Sequence, residues 1–198
     1  ENNGQAIHPT PMVGMVGLIK NIDRVIPSFV QHPGDKVYLV GQTRDDYAGS
    51  ELQKMMTGDI SGIVKSFDLH HVHQYMQRLL TTMENGLVSS AHDLSEGGLG
   101  VALAETVFKT DLGLKIDLAD QPATRLFSET PGRFIVTVAP EKATEFEQVL
   151  GKDAHLIGEV TNSHWLMVKL ANGKLNESVA KLQKTWEEAI PCQLKSKD

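Results

Sequence analysis

The chain has 198 residues, of which 40% are hydrophobic and 22% charged, a composition typical of a globular protein. Its 25 acidic and 19 basic residues give a net charge of −6, so it lacks the basic surface that binds nucleic acid, and we predict no such partner. No apolar run is long enough to span a bilayer, which predicts no membrane partner.

The ends of the sequence bear on where the protein works. The first residues lack an initiator Met and the basic-then-apolar pattern of a secretory signal, so we expect the chain to begin partway through a longer polypeptide. Cys192, the single cysteine, cannot form an internal disulfide, which is typical of a reducing compartment. We therefore predict a cytoplasmic location and an exposed Cys192 thiol with no catalytic role.

Strand-like and helix-like segments alternate along the sequence. Residues 1–11 are polar and rich in proline, which predicts irregular structure, and residues 13–19 resemble a strand interrupted by glycines. Apolar and β-branched runs predict the later strands, at residues 36–40, 87–91, 114–118, 132–139, 156–160 and 165–170. Caps and apolar spacing predict the helices, at residues 50–56, 69–85, 99–108, 141–150 and 177–189, with a helical turn at 123–127.

Capping residues mark two of these helices. Ser50 lies near the start of the helix at residues 50–56, and Asp68 is a suitable N-cap for the helix at residues 69–85. Gly86 follows the second helix as a C-terminal stop.

The C-terminal part of the sequence predicts a hairpin and a final helix. We expect residues 156–160 and 165–170 to pair as neighbouring strands. The dipeptide Asn172-Gly173 then predicts a tight turn, and Pro191 is expected to end the last helix. Strands alternating with helices, closed by a hairpin and a helix, predict an α+β fold with a mixed sheet and packed helices.

The first motif that can carry chemistry lies between a predicted strand and a glycine-rich helix start. Glycine lets backbone N–H groups face an anion, so Ser95, Gly97 and Gly98 are candidate phosphate ligands. Asp93 and Glu96 are candidate ligands for a divalent cation. A tight turn that lets the following helix pack closely accounts for the same residues without any ligand.

The second motif is a loop before the predicted strand at residues 132–139. Ser128, Glu129 and Arg133 combine a hydroxyl, a carboxylate and a guanidinium, which can bind a polar or phosphorylated ligand. The simpler interpretation is a helix end and a turn in which Arg133 pairs with Glu129. Residues 44–46, Arg-Asp-Asp, predict a solvated loop.

Four ordered segments, at residues 8–19, 41–52, 91–105 and 126–134, carry a family resemblance. The first, His-Pro-Thr-Pro-Met-Val-Gly-Met-Val-Gly-Leu-Ile, closely resembles a segment of the synthetase subunits of formylglycinamide ribonucleotide amidotransferases. These enzymes, also called phosphoribosylformylglycinamidine synthases, fall in the aminoimidazole ribonucleotide synthetase superfamily. The resemblance covers almost the whole chain.

The resemblance implies a domain division. Such subunits have two pseudo-symmetric halves, each with a nucleotide-binding-type first domain and an α/β second domain. Residues 1–32 resemble the tail of a nucleotide-binding-type domain. Residues 33–198 resemble the C-terminal α/β domain of the synthetase.

The activity implied by the resemblance is a ligase reaction of purine biosynthesis. The full-length enzyme uses ATP and magnesium to convert formylglycinamide ribonucleotide to the amidine, with ammonia derived from glutamine. The implied partners are the remainder of the same subunit, a glutaminase subunit and a small third subunit. The main ATP ligands would lie on polypeptide outside this sequence, so we expect the chain by itself to be inactive, to bind neither cofactor tightly and to contain no catalytic residue.

The pseudo-symmetry implies a vestigial site. The loop around Ser128 and Glu129 corresponds to a substrate-contacting loop of the other half, but Thr130 and Pro131 depart from its pattern. Asp93 corresponds to a magnesium-binding Asp. The resemblance thus implies that both motifs are vestigial: the first with Asp93, Ser95, Gly97 and Gly98, the second with Ser128, Glu129 and Arg133. The alternatives are a non-catalytic binding or interaction module, or another ATP-using member of the superfamily such as a selenophosphate synthetase-like protein.

Overall fold

The computed structural model describes residues 11–19 and 21–195, and the side chains among them up to Ile190. The strands are β1 (Lys36–Val40), β2 (Ser90–Asp93), β3 (Gly113–Leu118), β4 (Phe134–Val138), β5 (Ala154–Thr161), β6 (Trp165–Leu170) and β7 (Gly173–Ser178). The α-helices are α1 (Glu51–Thr57), α2 (Leu69–Glu84), α3 (Gly98–Glu105), α4 (Ala143–Leu150) and α5 (Val179–Lys195). Short 3₁₀ helices lie at Ile22–Arg24, Ala123–Phe127, Pro140–Lys142 and Gly151–Asp153.

The strands form one seven-stranded sheet in the order β2-β4-β1-β5-β3-β6-β7. The β3–β6 pair is parallel and the other five pairs are antiparallel, so the sheet is mixed and the predicted fold class is confirmed. The expected pairing of β5 with β6 is wrong, because β3 lies between them. Gly113 lets the start of β3 lie close to β6, since a Cβ there would lie 2.4 Å from the carbonyl oxygen of Trp165.

Both faces of the sheet bury apolar side chains. Alternate residues of β1 point to opposite faces, with Leu39 on one side and Tyr38 on the other. The Leu39 face packs against α3 and α5, and the Tyr38 face packs against α2 and α4. Fully buried Leu103 and Phe146 lie at the centres of these two layers. Helices therefore cover both faces of the sheet, and the loops at the ends of its strands are where a site can form.

The capping predictions are confirmed. The Asp68 carboxylate accepts a hydrogen bond from the backbone N–H of His71 at the start of α2. The Ser50 hydroxyl accepts one from the N–H of Gln53 at the start of α1. By contrast, α5 continues through Pro191 to Lys195, so the expected end at Pro191 is wrong.

The segment before β1 has two parts. Residues 11–19 have no regular structure and are exposed, so the strand expected at 13–19 is wrong. A strand needs a neighbour for its N–H and C=O groups, and the described residues offer this segment none. Residues 26–31 pack on the fold instead: Val30 is buried, and its N–H donates to the Thr106 carbonyl oxygen at 2.9 Å.

Some expectations lie outside the described residues. These are the irregular structure of residues 1–10, the first part of the segment at residues 8–19, and the exposure of the Cys192 side chain. Within the described residues, no helix combines the length and apolar character needed to cross a membrane.

Candidate functional site

The two motifs meet at one end of the sheet. Strand β4 runs antiparallel to both β1 and β2, so the start of β4 lies beside the ends of the other two. Three loops therefore converge there: the β1 loop (residues 41–50), the glycine loop (residues 93–98) and the β4 loop (residues 128–133). This convergence could not be read from any one motif, because it depends on the strand order.

The hydroxyl groups of the β4 loop hold the β1 loop in place. Ser128 is completely buried, and its Oγ donates to the Arg44 carbonyl oxygen. The Thr130 hydroxyl accepts from the Arg44 N–H at 3.0 Å and donates to the Asp46 carboxylate at 2.7 Å. Both hydroxyls are thus directed into the protein rather than toward solvent.

Glu129 connects all three loops. Its Oε1 accepts hydrogen bonds from the N–H of Gly97 at 2.8 Å and from the N–H of Glu51 at 2.9 Å. Its own backbone N–H donates to the Asp46 carbonyl oxygen at 3.0 Å. The glycine loop therefore does present an N–H group to an anion, but the anion is a side chain of the same protein.

Arg133 lies beneath the β4 loop with 1% of its surface exposed. Its guanidinium donates to the Thr130 carbonyl oxygen at 2.9 Å, the Ser128 carbonyl oxygen at 2.6 Å and the Thr43 hydroxyl at 3.0 Å. Burial lowers the pKa of Arg133 to about 10, so it remains charged at neutral pH. The ion pair with Glu129 expected from the simpler interpretation is not formed, since the guanidinium is directed at these three oxygens.

The remaining residues of the glycine loop divide into a buried and an exposed group. Gly97 and Gly98 are buried against the β4 loop, whereas Asp93 and Ser95 are exposed. Among residues 11–19 and 21–195, no three His, Cys, Asp or Glu side chains stand close enough together to hold a metal ion. Asp93 therefore has no set of companion ligands within the described chain.

Sequence reasoning missed the β1 loop as a participant. Residues 44–46 are not simply solvated: the Asp46 side chain is 14% exposed and pairs with Arg44 at 3.0 Å. A run of adjacent opposite charges is typical of surface loops, so the residue types gave no functional signal here. The family resemblance of residues 41–52 is the signal that could have drawn attention to this loop. A cavity of about 460 Å³ lies beside this loop, lined by Arg44, Asp46, Lys65 and Glu129 together with the apolar side chains of Ile63, Val64 and Phe67.

A buried carboxylate fixes α2 to the same end of the sheet. Asp153 is fully buried, accepts a hydrogen bond from His71 Nε2 at 2.9 Å and pairs with Arg78. Its carbonyl oxygen accepts from the N–H of Gly41 at 2.9 Å. One turn along α2, the Tyr75 hydroxyl donates to the Gly132 carbonyl oxygen at 2.6 Å. These contacts give the converging loops a rigid support.

The fold and this arrangement of loops define the class to which the protein belongs. Residues 32–169 match the family described as AIR synthase related protein, C-terminal domain, and the chain belongs to that family. The resemblance drawn from the four ordered segments is thereby confirmed.

Individual proteins within this family give a more specific comparison. The chain is 96% identical over all 198 residues to the phosphoribosylformylglycinamidine synthase subunit PurL of Limosilactobacillus reuteri, and 67% identical to that of Limosilactobacillus fermentum. It spans 27% of the length of each. Thermotoga maritima PurL solved with FGAR is 25% identical, with a TM-score of 0.69 over 82% of this chain and 30% of that one.

Proposed function

We propose that this chain is part of an ATP-dependent carbon–nitrogen ligase that converts formylglycinamide ribonucleotide to formylglycinamidine ribonucleotide in purine biosynthesis. The observation that carries the proposal is the 96% identity, over the entire chain, to a phosphoribosylformylglycinamidine synthase subunit. The Thermotoga protein of similar fold was solved with FGAR, the substrate of this reaction. Glutamine-derived ammonia would supply the nitrogen.

The chain's own contribution is structural support for a reaction centre that lies mostly on other polypeptide. The hydroxyls of Ser128 and Thr130, the carboxylate of Glu129 and the guanidinium of Arg133 all bind groups of the protein. We therefore infer that Ser95, Gly97, Gly98, Ser128, Glu129 and Arg133 belong to a vestigial site, and we assign them no reaction step. Asp93 is the candidate magnesium ligand, and it would need further ligands from elsewhere.

The domain division follows the same proposal. Residues 1–32 would form the tail of a nucleotide-binding-type domain, and residues 33–198 the α/β domain. The apolar side chains of Met12, Val16 and Leu18 are 99%, 104% and 88% exposed, which favours burial against further polypeptide. The first partner would be the remainder of the same subunit.

Further partners and cofactors come from the relatives. Thermotoga maritima PurL has been solved with ATP and as PurLQS. The first structure supports ATP as a cofactor, and the second supports assembly with other subunits. That the cofactor includes magnesium, and that the partners are a glutaminase and a small third subunit, we infer from the family resemblance alone. A cytoplasmic location fits such a complex.

Complementation of a purine auxotroph that lacks this subunit tests the proposal. The full-length gene should restore growth without purine, whereas the 198-residue chain alone should not. A full-length gene with residues 33–198 of this chain deleted should also fail, because the fold that supports the centre is lost. Growth supported by the deleted gene, or none by the full-length gene, would contradict the assignment.

A thermal shift measurement tests the location of the ATP ligands. The melting temperature of the isolated chain should be the same with and without ATP and magnesium, because its glycine loop is occupied by Glu129. A clear nucleotide-dependent rise would show that this chain holds a working ATP site. Inorganic sulfate at equal ionic strength is the control for general anion effects.

A further inference from the structure

We propose that the Glu129 carboxylate is a built-in anion that positions the glycine loop against the β1 loop and α1. This inference goes beyond the proposed function, because it concerns how the loops are held in this chain whichever reaction the longer protein performs. The role is that of a positioning residue, since Glu129 acts on backbone groups of the protein.

Two helix starts supply the donors. The first N–H groups of an α-helix have no partner within the helix and need another acceptor. At α3, the preceding residue Gly97 provides no side-chain cap, and the first turn contains no acidic residue. At α1, the Ser50 hydroxyl accepts a hydrogen bond from the N–H of Gln53. The N–H of Glu51 therefore needs a different acceptor.

The N–H groups of Gly97 and Glu51 both donate to one oxygen atom. Glu129 Oε1 accepts from Gly97 at 2.8 Å and from Glu51 at 2.9 Å, although the two donors are 46 residues apart in sequence. Hydrogen bonds from neutral donors to an ionised acceptor are roughly twice as strong as neutral ones. Two backbone N–H groups from separate parts of the chain therefore share a single negative charge.

The backbone that presents Glu129 is itself fixed. The carbonyl oxygens on either side of it, of Ser128 and Thr130, both accept hydrogen bonds from the buried Arg133 guanidinium. The Glu129 N–H donates to the Asp46 carbonyl oxygen, which adds the β1 loop to the assembly. Glu129 thus couples three loops while having little freedom to move.

The test compares three variants of the chain. Glu129→Ala removes the anion, Glu129→Gln keeps the shape but removes the charge, and Glu84→Ala removes an exposed carboxylate at the far end of α2 as a matched control. We expect Glu129→Ala to lower the melting temperature by about 3–6 °C, Glu129→Gln to lower it less, and Glu84→Ala to leave it unchanged.

Two further measurements separate positioning by an anion from general loss of packing. The backbone amide resonances of Gly97 and Glu51 should move together in Glu129→Gln, while those of α4 and α5 stay in place. Formate, compared with chloride at equal ionic strength, should raise the melting temperature of Glu129→Ala and leave the native chain unaffected.

Two results would overturn the proposal. If formate shifts the native chain and the Ala variant equally, the carboxylate site is not specific and the proposal fails. The same conclusion follows if the Gly97 and Glu51 resonances do not change in Glu129→Gln. If Glu129→Ala does not fold, the Gln variant carries the test through those resonances, and none of these results depends on ligase activity.

Discussion

Gly98 is the residue at which backbone conformation most directly decides the architecture of the site. Its φ is +62°, and a Cβ there would lie 2.2 Å from the Ser128 carbonyl oxygen and 2.9 Å from that of Leu126. Both contacts are with backbone, which cannot rotate away as a side chain can. Glycine therefore lets the start of α3 approach the β4 loop closely enough for Gly97 to reach Glu129.

We predict that Gly98→Ala destabilises the chain by about 2–4 kcal/mol, the sum of strain from positive φ and of overpacking. Gly86→Ala is the matched control, because Gly86 has a similar φ of +69° but open space around it. The Gly86→Ala control should lose only the contribution from backbone strain, about 1 kcal/mol of stability. Urea unfolding measures both, and equal losses would contradict the close approach.

Asp35 is a buried carboxyl at the start of β1. It is 2% exposed, and its Oδ2 has no hydrogen-bond partner among the described residues. Burial raises the pKa of Asp35, while the Ser89 hydroxyl and His32 have smaller, opposite effects. The pKa of Asp35 is therefore higher in the folded chain than in the unfolded chain. Its contribution to the free energy of unfolding is fully present below the unfolded pKa of 3.8 and is lost as pH rises through the folded pKa.

The expected result is that Asp35→Asn becomes progressively more stable relative to the native chain as pH rises from about 4 to 7. Asp68→Asn should behave in the opposite way, since backbone hydrogen bonds from His71 lower the pKa of Asp68 and its contribution is lost as pH falls. Melting temperatures from about pH 2 to 7 check both signs, because the contribution of Asp68 is lost mostly below its unfolded pKa of 3.8. A pH-independent difference for Asp35→Asn would mean that the carboxyl is not penalised by burial.

Among the elements, helix α2 contacts both the hydrophobic layer on the Tyr38 face of the sheet and the converging loops. Asp153, between α4 and β5, is the buried acceptor for its His71 and Arg78. Asp153 is buried, whereas the side chains of His71 and Arg78 are 32% and 42% exposed. Removing the carboxylate leaves two partly buried partners without their acceptor, which is costly. The geometry therefore makes Asp153 more important for stability than any exposed ion pair of the sheet.

Asp153→Asn should destabilise the chain by about 2–4 kcal/mol. Asp117→Asn is the comparison, because its pair with Lys169 spans 3.3 Å but leaves the two side chains 64% and 67% exposed. Such exposed pairs contribute less than about 1 kcal/mol. Chemical denaturation of the two variants checks the contrast, and a loss at Asp153 no larger than at Asp117 would refute it.

Local signals predicted the elements better than their arrangement. Ser50 and Asp68 cap helices as expected because a cap depends on three or four consecutive residues. The position of β3 between β5 and β6 depends on pairing across about fifty residues, which no local pattern contains. For the same reason Glu129 was identified as a candidate residue while its partners Gly97 and Glu51 were not connected to it.

At the scale of the whole molecule, an exposed segment rich in apolar side chains precedes the α/β domain. Residues 11–19 are exposed, whereas Ile26 and Val30 of the following stretch pack against the two hydrophobic layers. The family match begins at residue 32, close to this change. The stretch at residues 26–31 thus packs with the α/β domain, although the proposed domain division falls at residue 32.

We predict that replacing Met12, Val16 and Leu18 by Ser leaves the melting temperature within about 1 °C and reduces aggregation, because these side chains are not buried in the chain. Val30→Ser should lower it by about 4–8 °C through loss of a buried side chain. Calorimetry with light scattering checks both effects. An equal drop for the triple variant would show that the segment packs on the domain after all.

The position of β1 inside the sheet, between β4 and β5, has a consequence for synthesis on the ribosome. Both of its neighbours come late, with Lys36 opposite Val138 of β4 and Glu159 of β5. At about 5–20 residues per second, the nascent strand waits roughly five to twenty seconds before either partner has been translated. During that time the apolar run at residues 37–40 is available to chaperones and to neighbouring nascent chains, so the yield of folded protein should depend on elongation speed between residues 40 and 160.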